Sequence, residues 1–208
     1  MMKVIYLPLV FLCFFHIQVN AQSSFGVKGG LNDSWMGIEN EKLKFGFHAG
    51  AYGSLDLGKA AILQAELMYS QKGSDFNEVL LYDVPLSYTY HYLSLPVMIG
   101  FKWGHKVVMQ FGPEVSYLMN VRVAYGENVI KDKAVFPDFD MGVLAGIQIV
   151  ISDRLDLQFR YVHGFTKSPN IDFTDMTGNS LGAIIDGKNR VFQAGVTYRL
   201  SKDSKDDE

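Results

Sequence analysis

Histidines are the side chains in this sequence best suited to acid–base chemistry near neutral pH, and the chain has five of them. His91 and His163 stand in aromatic-rich segments, and neither has a serine two residues further on. The sequence also contains no G-x-S-x-G, no H-E-x-x-H and no phosphate-binding glycine loop. We therefore expect no catalytic residue, no cofactor site and no metal site, and we interpret both histidines as interfacial side chains.

Charged side chains form the second group that could make a site. Lys28, Glu66, Glu114 and Arg160 each lie within a segment in which polar and apolar residues alternate. If the polar faces of these segments enclose an interior, opposite charges can pair there, whereas a lone buried charge is costly. We interpret the four as a structural charge cluster in that interior. Three acidic residues near the C-terminus, Asp172, Asp175 and Asp186, are interpreted as part of a solvated loop.

The alternation that carries these charges recurs along the chain and predicts β-strands. We place about eight strands, most of them near ten residues long, at 25–32, 43–55, 61–70, 93–102, 107–117, 140–149, 155–161 and 192–200. About ten residues is the length that a tilted strand needs to cross a bilayer.

The connections between these strands alternate in length. Tight turns are predicted at 56–59, around Gly104-His105 and at 152–154, whereas 37–42, 72–87, 124–138 and 166–189 are longer. Transmembrane barrels have short periplasmic turns and longer outer loops. We therefore predict an all-β fold, a closed antiparallel up-and-down transmembrane β-barrel with both termini on the periplasmic side.

Composition and the N-terminal segment agree with export. Lys3 precedes an apolar run at 4–15, and Val19-Asn20-Ala21 suits a cleavage site, so residues 1–21 are predicted to be a cleaved signal peptide. We assign 22–200 to the barrel and 201–208 to a polar tail. The sole cysteine, Cys13, falls within the signal peptide. The net charge of −3 gives no reason to expect nucleic-acid binding.

The membrane setting predicts which face of each strand points where. The apolar face is expected outward toward lipid and the polar face inward into a packed lumen. Aromatic residues cluster near both predicted ends of the strands, as interfacial girdles do: Trp35, Phe45, Tyr69, Tyr117 and Tyr161 at the outer end, and Phe25, Phe101, Trp103 and Tyr198 at the other. Pro96 and Pro113 interrupt two strands, and we expect a bulge or irregular pairing at each.

Several segments together resemble the PorT-like outer-membrane β-barrel family of Bacteroidetes-type bacteria. They are FGVKGGLN at 25–32, YLSLPVMIGFK at 92–102, FGPEVSY at 111–117, RYVHGFT at 160–166 and QAGVTYRL at 193–200. The resemblance implies an integral protein of the cell outer membrane, and PorT itself is linked to protein secretion. The chain departs from the pattern at Ser94, where the family often has an acidic residue.

These observations favour a non-enzymatic barrel with a structural, accessory or interaction role, exercised through its extracellular loops. Its expected partners are outer-membrane lipid and other proteins, with protein secretion as one candidate process. Two alternatives stay open at this point. One is an outer-membrane lipid-modifying enzyme that uses a rim histidine, and the other is a soluble lipocalin-like binding barrel.

Overall fold

The described part of the protein covers nearly all of the predicted barrel. The structure is a computed structural model, and it describes residues 23–38, 41–76, 85–131, 133, 136–168, 171–174, 180–185 and 187–201. The predicted signal peptide and the predicted tail after Ser201 lie outside the described residues.

Within the described residues, the chain forms twelve β-strands. Eight of them are long: β1 (Ser23–Trp35), β3 (Lys44–Asp56), β4 (Ala61–Phe76), β5 (Leu86–Trp103), β6 (Val107–Tyr125), β8 (Phe139–Val150), β9 (Leu155–Lys167) and β12 (Lys188–Arg199). The other four are short: β2 (Glu41–Lys42), β7 (Asn128–Ile130), β10 (Ile171–Thr174) and β11 (Ser180–Ile185).

The eight long strands close into a barrel. Each pairs antiparallel with its neighbour along the chain, and the last, β12, pairs with β1 from Gly26↔Arg199 to Trp35↔Arg190. Closure leaves no long strand with an unpaired edge, as a spanning sheet requires. The predicted fold class is confirmed. Among the described residues, no helix is long and apolar enough to cross a membrane.

The alternation of connection lengths is also present. Tight turns join β3 to β4, β5 to β6 and β8 to β9, and two of them contain a glycine with left-handed backbone, Gly58 (φ 85°) and Gly104 (φ 64°). The short strands β2, β7, β10 and β11 all belong to the connections at the opposite end. That end is extracellular if the short turns are periplasmic.

Several strands reach further at the extracellular end than the sequence pattern predicts, and the neighbouring strands β4, β5 and β6 form a continuous extension there. β4 continues to Phe76, β5 begins at Leu86, and β6 continues to Tyr125. The predicted connection at 72–87 is therefore wrong at both ends. The cause is a reversal of polarity on β5 and β6: in their outer parts the apolar side chains point inward and polar ones such as Thr89 and Arg122 point outward.

The extension has a hydrophobic core of its own. It contains Met36, Phe76, Tyr88, Tyr90, Tyr92, Leu118, Val121 and Phe136. Tyr90 is fully buried, and its ring centroid lies 5.6 Å from that of Phe136 and 6.2 Å from that of Tyr88. Burial raises the pKa of the Tyr88 and Tyr90 hydroxyls above its usual value. This packing resembles that of a water-soluble sheet rather than that of the barrel below it.

A β-bulge lies where the polarity reverses. Tyr92 pairs with Leu118 but His91 pairs with Asn120, so β6 carries an extra residue at Met119. The extra residue shifts the alternation of β6 by one position. Even-numbered residues up to Leu118 and odd-numbered residues from Val121 onward therefore point inward, and both of these side chains are buried. No bulge is present at Pro96 or Pro113: the register of β5 with β6 is the same on both sides of each proline. The ladder is nevertheless interrupted there: Pro96↔Glu114 is followed directly by Ile99↔Phe111.

The extension core predicts that the outer region can be loosened without opening the barrel. We expect Tyr90→Ala to destabilise the extension by about 3–5 kcal/mol, because it removes a buried aromatic ring. Limited proteolysis of the protein in vesicles should then cleave the extension faster, while the barrel keeps its heat-dependent gel migration. Thr89→Ala, one residue away on the outward face, is the control and should leave the cleavage rate unchanged. Equal cleavage of the two variants would contradict the assignment of this core.

Candidate functional site

Three of the four charges singled out in the sequence meet in the middle of the lumen. The Lys28 ammonium donates to Glu66 Oε2 at 2.8 Å, and Arg160 grips the same carboxylate with two hydrogen bonds of 2.8 and 2.6 Å. The side chains of all three are at most 2% exposed. Their strands β1, β4 and β9 come from different parts of the barrel wall, so this cluster ties the wall together across the lumen.

Amide side chains extend the central cluster toward the periplasmic end. Gln64 and Gln110 contact the Glu66–Arg160 pair, and Gln110 donates to Gln148 at 3.0 Å. Gln148 donates in turn to the Asp156 carboxylate at 2.7 Å. Hydrogen bonds of this kind satisfy buried polar groups that water cannot reach.

Glu114, the fourth predicted charge, lies in a separate cluster nearer the outer end. Its carboxylate accepts a 2.8 Å hydrogen bond from Lys72 and one of 3.0 Å from Ser116. The predicted connection at 72–87 includes Lys72, but this residue is a buried part of β4, 2% exposed. The signal that could have found it is the continuation of the two-residue period through Ser70 and Lys72.

An apolar layer helps to separate these two charge clusters. Leu144, Val162 and Val191 lie on adjacent strands and, with Met98, form a buried cluster. Asp140 and Asn189 lie further out on β8 and β12. Asn189 donates hydrogen bonds to the Asp140 carboxylate at 2.8 Å and to the Tyr92 hydroxyl at 3.2 Å. The lumen is therefore packed with side chains at successive levels, as expected for eight strands.

The outer surface of the barrel has the opposite character. Large apolar side chains are exposed around it, among them Phe45 at 78% and Trp103 at 70%. The nine aromatics predicted at the strand ends belong to this outward face, with Trp35, Tyr69 and Tyr161 partly covered by neighbouring rings. A belt of this extent is far beyond the apolar patches of soluble proteins and suits a bilayer. The lipocalin-like alternative is wrong, because the apolar face is outside and the polar face inside.

The two candidate histidines lie on the outward face near the outer rim. Each contacts a tyrosine hydroxyl through Nδ1: His91 with Tyr69 at 2.5 Å and His163 with Tyr161 at 3.2 Å. The aromatic rings of these pairs also lie about 6 Å apart, at 6.0 and 6.1 Å. Both pairs occupy the depth at which amphipathic rings anchor a protein at the membrane surface. Of the three loop aspartates, Asp175 and Asp186 lie outside the described residues, and the side chain of Asp172 is not described.

Comparison with known proteins agrees with this arrangement. Residues 18–170, well over half of the chain, match the model of a family described as "Outer membrane protein beta-barrel domain". The chain belongs to this outer-membrane β-barrel family. The predicted localisation in the cell outer membrane is thereby confirmed. No curated protein matches the sequence.

Several solved outer-membrane proteins have a similar architecture. Ail of Yersinia pestis is 13% identical, with a TM-score of 0.46, over 86% of this chain and 97% of its own. Neisserial surface protein A is also 13% identical, with a TM-score of 0.47, over 85% and 96%. Outer membrane protein W of E. coli is 15% identical, with a TM-score of 0.39, over 88% and 100%. Similarity at this level carries no argument about ligands or activity.

The central charge cluster predicts a specific pattern of stability. Glu66→Gln leaves Lys28 and Arg160 buried without their shared carboxylate, and we expect it to destabilise the barrel by about 3–5 kcal/mol. The triple variant Lys28→Met/Glu66→Leu/Arg160→Met removes all three charges and should lie much closer to the wild type. Urea unfolding in lipid vesicles, followed by heat-dependent gel migration, measures both. Unfolding of Glu66→Gln at the wild-type urea concentration would show that the cluster does not hold the barrel together.

Proposed function

We propose that the protein is a non-catalytic outer-membrane barrel of PorT-like type whose role is to present an extracellular platform to other proteins. The platform is the part of β4, β5 and β6 above the bulge at Met119, together with β2 and β7 at its flanks. β2 pairs with β4 through Glu41↔Phe76, and β7 pairs with β6 through Tyr125↔Asn128. The observation that carries the proposal is the reversal of polarity on β5 and β6. It gives this sheet a hydrophobic core of its own and a polar outer face.

A hydrogen-bonded clamp holds the first extracellular connection against the platform. The Glu41 carboxylate accepts hydrogen bonds from the backbone N–H groups of Met36, Gly37 and Ile38 at 2.7, 2.5 and 2.9 Å. It also accepts the Ser74 hydroxyl at 2.7 Å. A fixed surface loses little conformational entropy when a partner binds, which favours a role in recognition.

The lumen supports an interaction role rather than a transport role. A solute crossing the barrel would have to displace the Lys28–Glu66–Arg160 cluster, and the buried charges that remain would each be costly. The rim histidines support a non-catalytic role, since their Nδ1 atoms contact tyrosine hydroxyls and not a serine or a carboxylate. Secretion, the process implied by the PorT resemblance, would then depend on the platform as a docking point.

Charge reversal on the platform tests this proposal in living cells. Arg122→Glu changes an outward-facing residue of β6, whereas the control Lys59→Glu makes the same change in a periplasmic turn. Proteins that bind the wild type are captured by chemical cross-linking on whole cells. We expect the first variant to capture fewer of them and to alter the profile of secreted proteins, and the second to behave like the wild type. Both should keep heat-dependent migration. Identical partner recovery and secretion in both variants would overturn the platform role.

Histidine substitution tests the non-catalytic part of the proposal. We expect His91→Ala and His163→Ala to leave the lipid composition of the outer membrane unchanged, because the Nδ1 atom of each contacts a tyrosine hydroxyl in an anchoring pair and not a serine. Mass spectrometry of extracted lipids, compared with a strain that lacks the protein, makes the measurement. Loss of one lipid species in the deletion strain and in either histidine variant would instead support the lipid-modifying alternative.

A further inference from the structure

A groove of about 490 Å³ runs along the lipid-facing wall formed by β1, β9 and β12 and their neighbours. Its apolar lining includes Leu31, Phe45, Phe159, Tyr161, Phe192 and Ala194. Ala194 pairs with Leu31 on one side and with Phe159 on the other, so a single methyl group lies between two large side chains. The groove has the size of small-molecule sites, which span about 300–1,000 Å³.

Three aromatic rings close the outer end of this groove. Trp35 lies 5.3 Å from Phe192 and 6.1 Å from Tyr161, measured between ring centroids, and Tyr161 lies 5.2 Å from Phe192. Trp35 is the last residue of β1 at the extracellular end, and Phe192 and Tyr161 lie two residues deeper, level with Asp33. The mouth of the groove at Trp35 therefore lies at the level of the outer headgroups. The groove is continuous with the lipid-facing belt. The membrane around it therefore provides acyl chains that can occupy it.

Arg190 lies on β12 two residues further out than Phe192, which lines the groove. It is the register partner of Trp35 and faces outward, and its guanidinium packs over Gly37, where a Cβ would meet Cζ at 2.9 Å. Its Nε is buried and has no hydrogen-bond partner. Arginine binds phosphate through paired N–H groups, so this side chain is suited to a phosphorylated headgroup.

Asp33 lies two residues deeper than Trp35 on β1 and also lines the groove. It faces outward between Phe45 and Phe192, its register partners, and its Oδ1 is buried without a hydrogen-bond partner. Among the described residues, it forms no ion pair with Arg190 or any other cation. A carboxylate on the lipid side of a barrel requires a hydrogen-bond donor.

We propose that the groove, Arg190 and Asp33 form a binding site for a lipid of the outer leaflet with a phosphorylated headgroup and an amide-linked acyl chain. The acyl chain lies along Ala194, and the phosphate contacts Arg190. Two residues along a strand are about 6–7 Å, which places Asp33 at the depth where the chain joins the headgroup. A carboxylate only accepts hydrogen bonds, an amide or hydroxyl can donate one, and an ester cannot. The preference for an amide linkage follows from Asp33.

Competition between two lipids tests the proposal. The full-length mature protein, purified in detergent, is given equimolar ceramide 1-phosphate and phosphatidic acid with matched acyl chains, and native mass spectrometry counts what is retained. These lipids share the phosphate but differ in amide and hydroxyl donors. We expect one lipid per barrel and about tenfold preference for ceramide 1-phosphate, the effect of one hydrogen bond to a charged group.

Variants separate the three parts of the site. Asp33→Leu should bind both lipids equally, Arg190→Gln should retain about tenfold less of each, and Ala194→Phe should fill the groove and retain neither. The matched controls are Arg122→Gln and Ala65→Phe, which change outward-facing residues on β6 and β4, away from the groove. They should bind like the wild type. Heat-dependent migration checks that each variant is folded. If Ala194→Phe does not fold, Arg190→Gln and Asp33→Leu are sufficient to test the proposal.

Three results would overturn the proposal. Equal retention of the two lipids by the wild type would remove the role of Asp33. Equal losses in the control variants would show that lipid is held by the belt as a whole. A wild-type dimer that Ala194→Phe dissociates would show that a second copy of the chain covers the groove.

Discussion

Backbone hydrogen bonding in a bilayer is the constraint from which the rest of this structure follows. No water is present to satisfy exposed N–H and C=O groups, so a spanning sheet must close on itself. Closure at eight strands leaves a lumen that side chains have to fill. Because the outer face must be apolar, polar residues are directed inward, and their charges must pair there. The Lys28–Glu66–Arg160 cluster is therefore a consequence of closure. Its hydrogen bonds join strands across the lumen and so stabilise the closed barrel.

The same two-residue period has opposite meanings in the two halves of the long strands. Along β5, Ser94 is buried and Leu95 faces lipid, whereas further out Tyr90 is buried and Thr89 faces water. The pattern of alternation does not reveal this change, since only the surroundings decide which face is the inner one. The reversal therefore locates the membrane boundary on β5 and β6, and it explains why a sheet can continue into water without exposing a hydrophobic face.

Much of the barrel could be predicted from the sequence, because strand period, turn residues and connection length are local properties. The strands around Lys28, Glu66 and Arg160 were predicted in this way, and so was the inward direction of those side chains. The pairing of Glu114 with Lys72 was missed, because Lys72 falls in the predicted connection at 72–87 although the two-residue period continues through it. The bulge at Met119 was missed as well, because no proline or glycine marks it. Pro96 and Pro113 remove hydrogen bonds between β5 and β6 but leave the register unchanged, since each strand is also paired with its other neighbour in the closed barrel.

Polar side chains on the wrong face of such a barrel are the most informative residues for function. A charge in the lumen is explained by packing, because closure demands that the space be filled and that charges pair. A charge on the outward face has no such explanation. Asp33 lines an apolar groove there, and Arg190 lies two residues further out than Phe192, which lines the same groove. Neither contributes to closure, to the lumen or to the extracellular core. Selection for stability alone would favour apolar residues at the depth of Asp33, so its carboxylate points to a donor that comes from outside the chain.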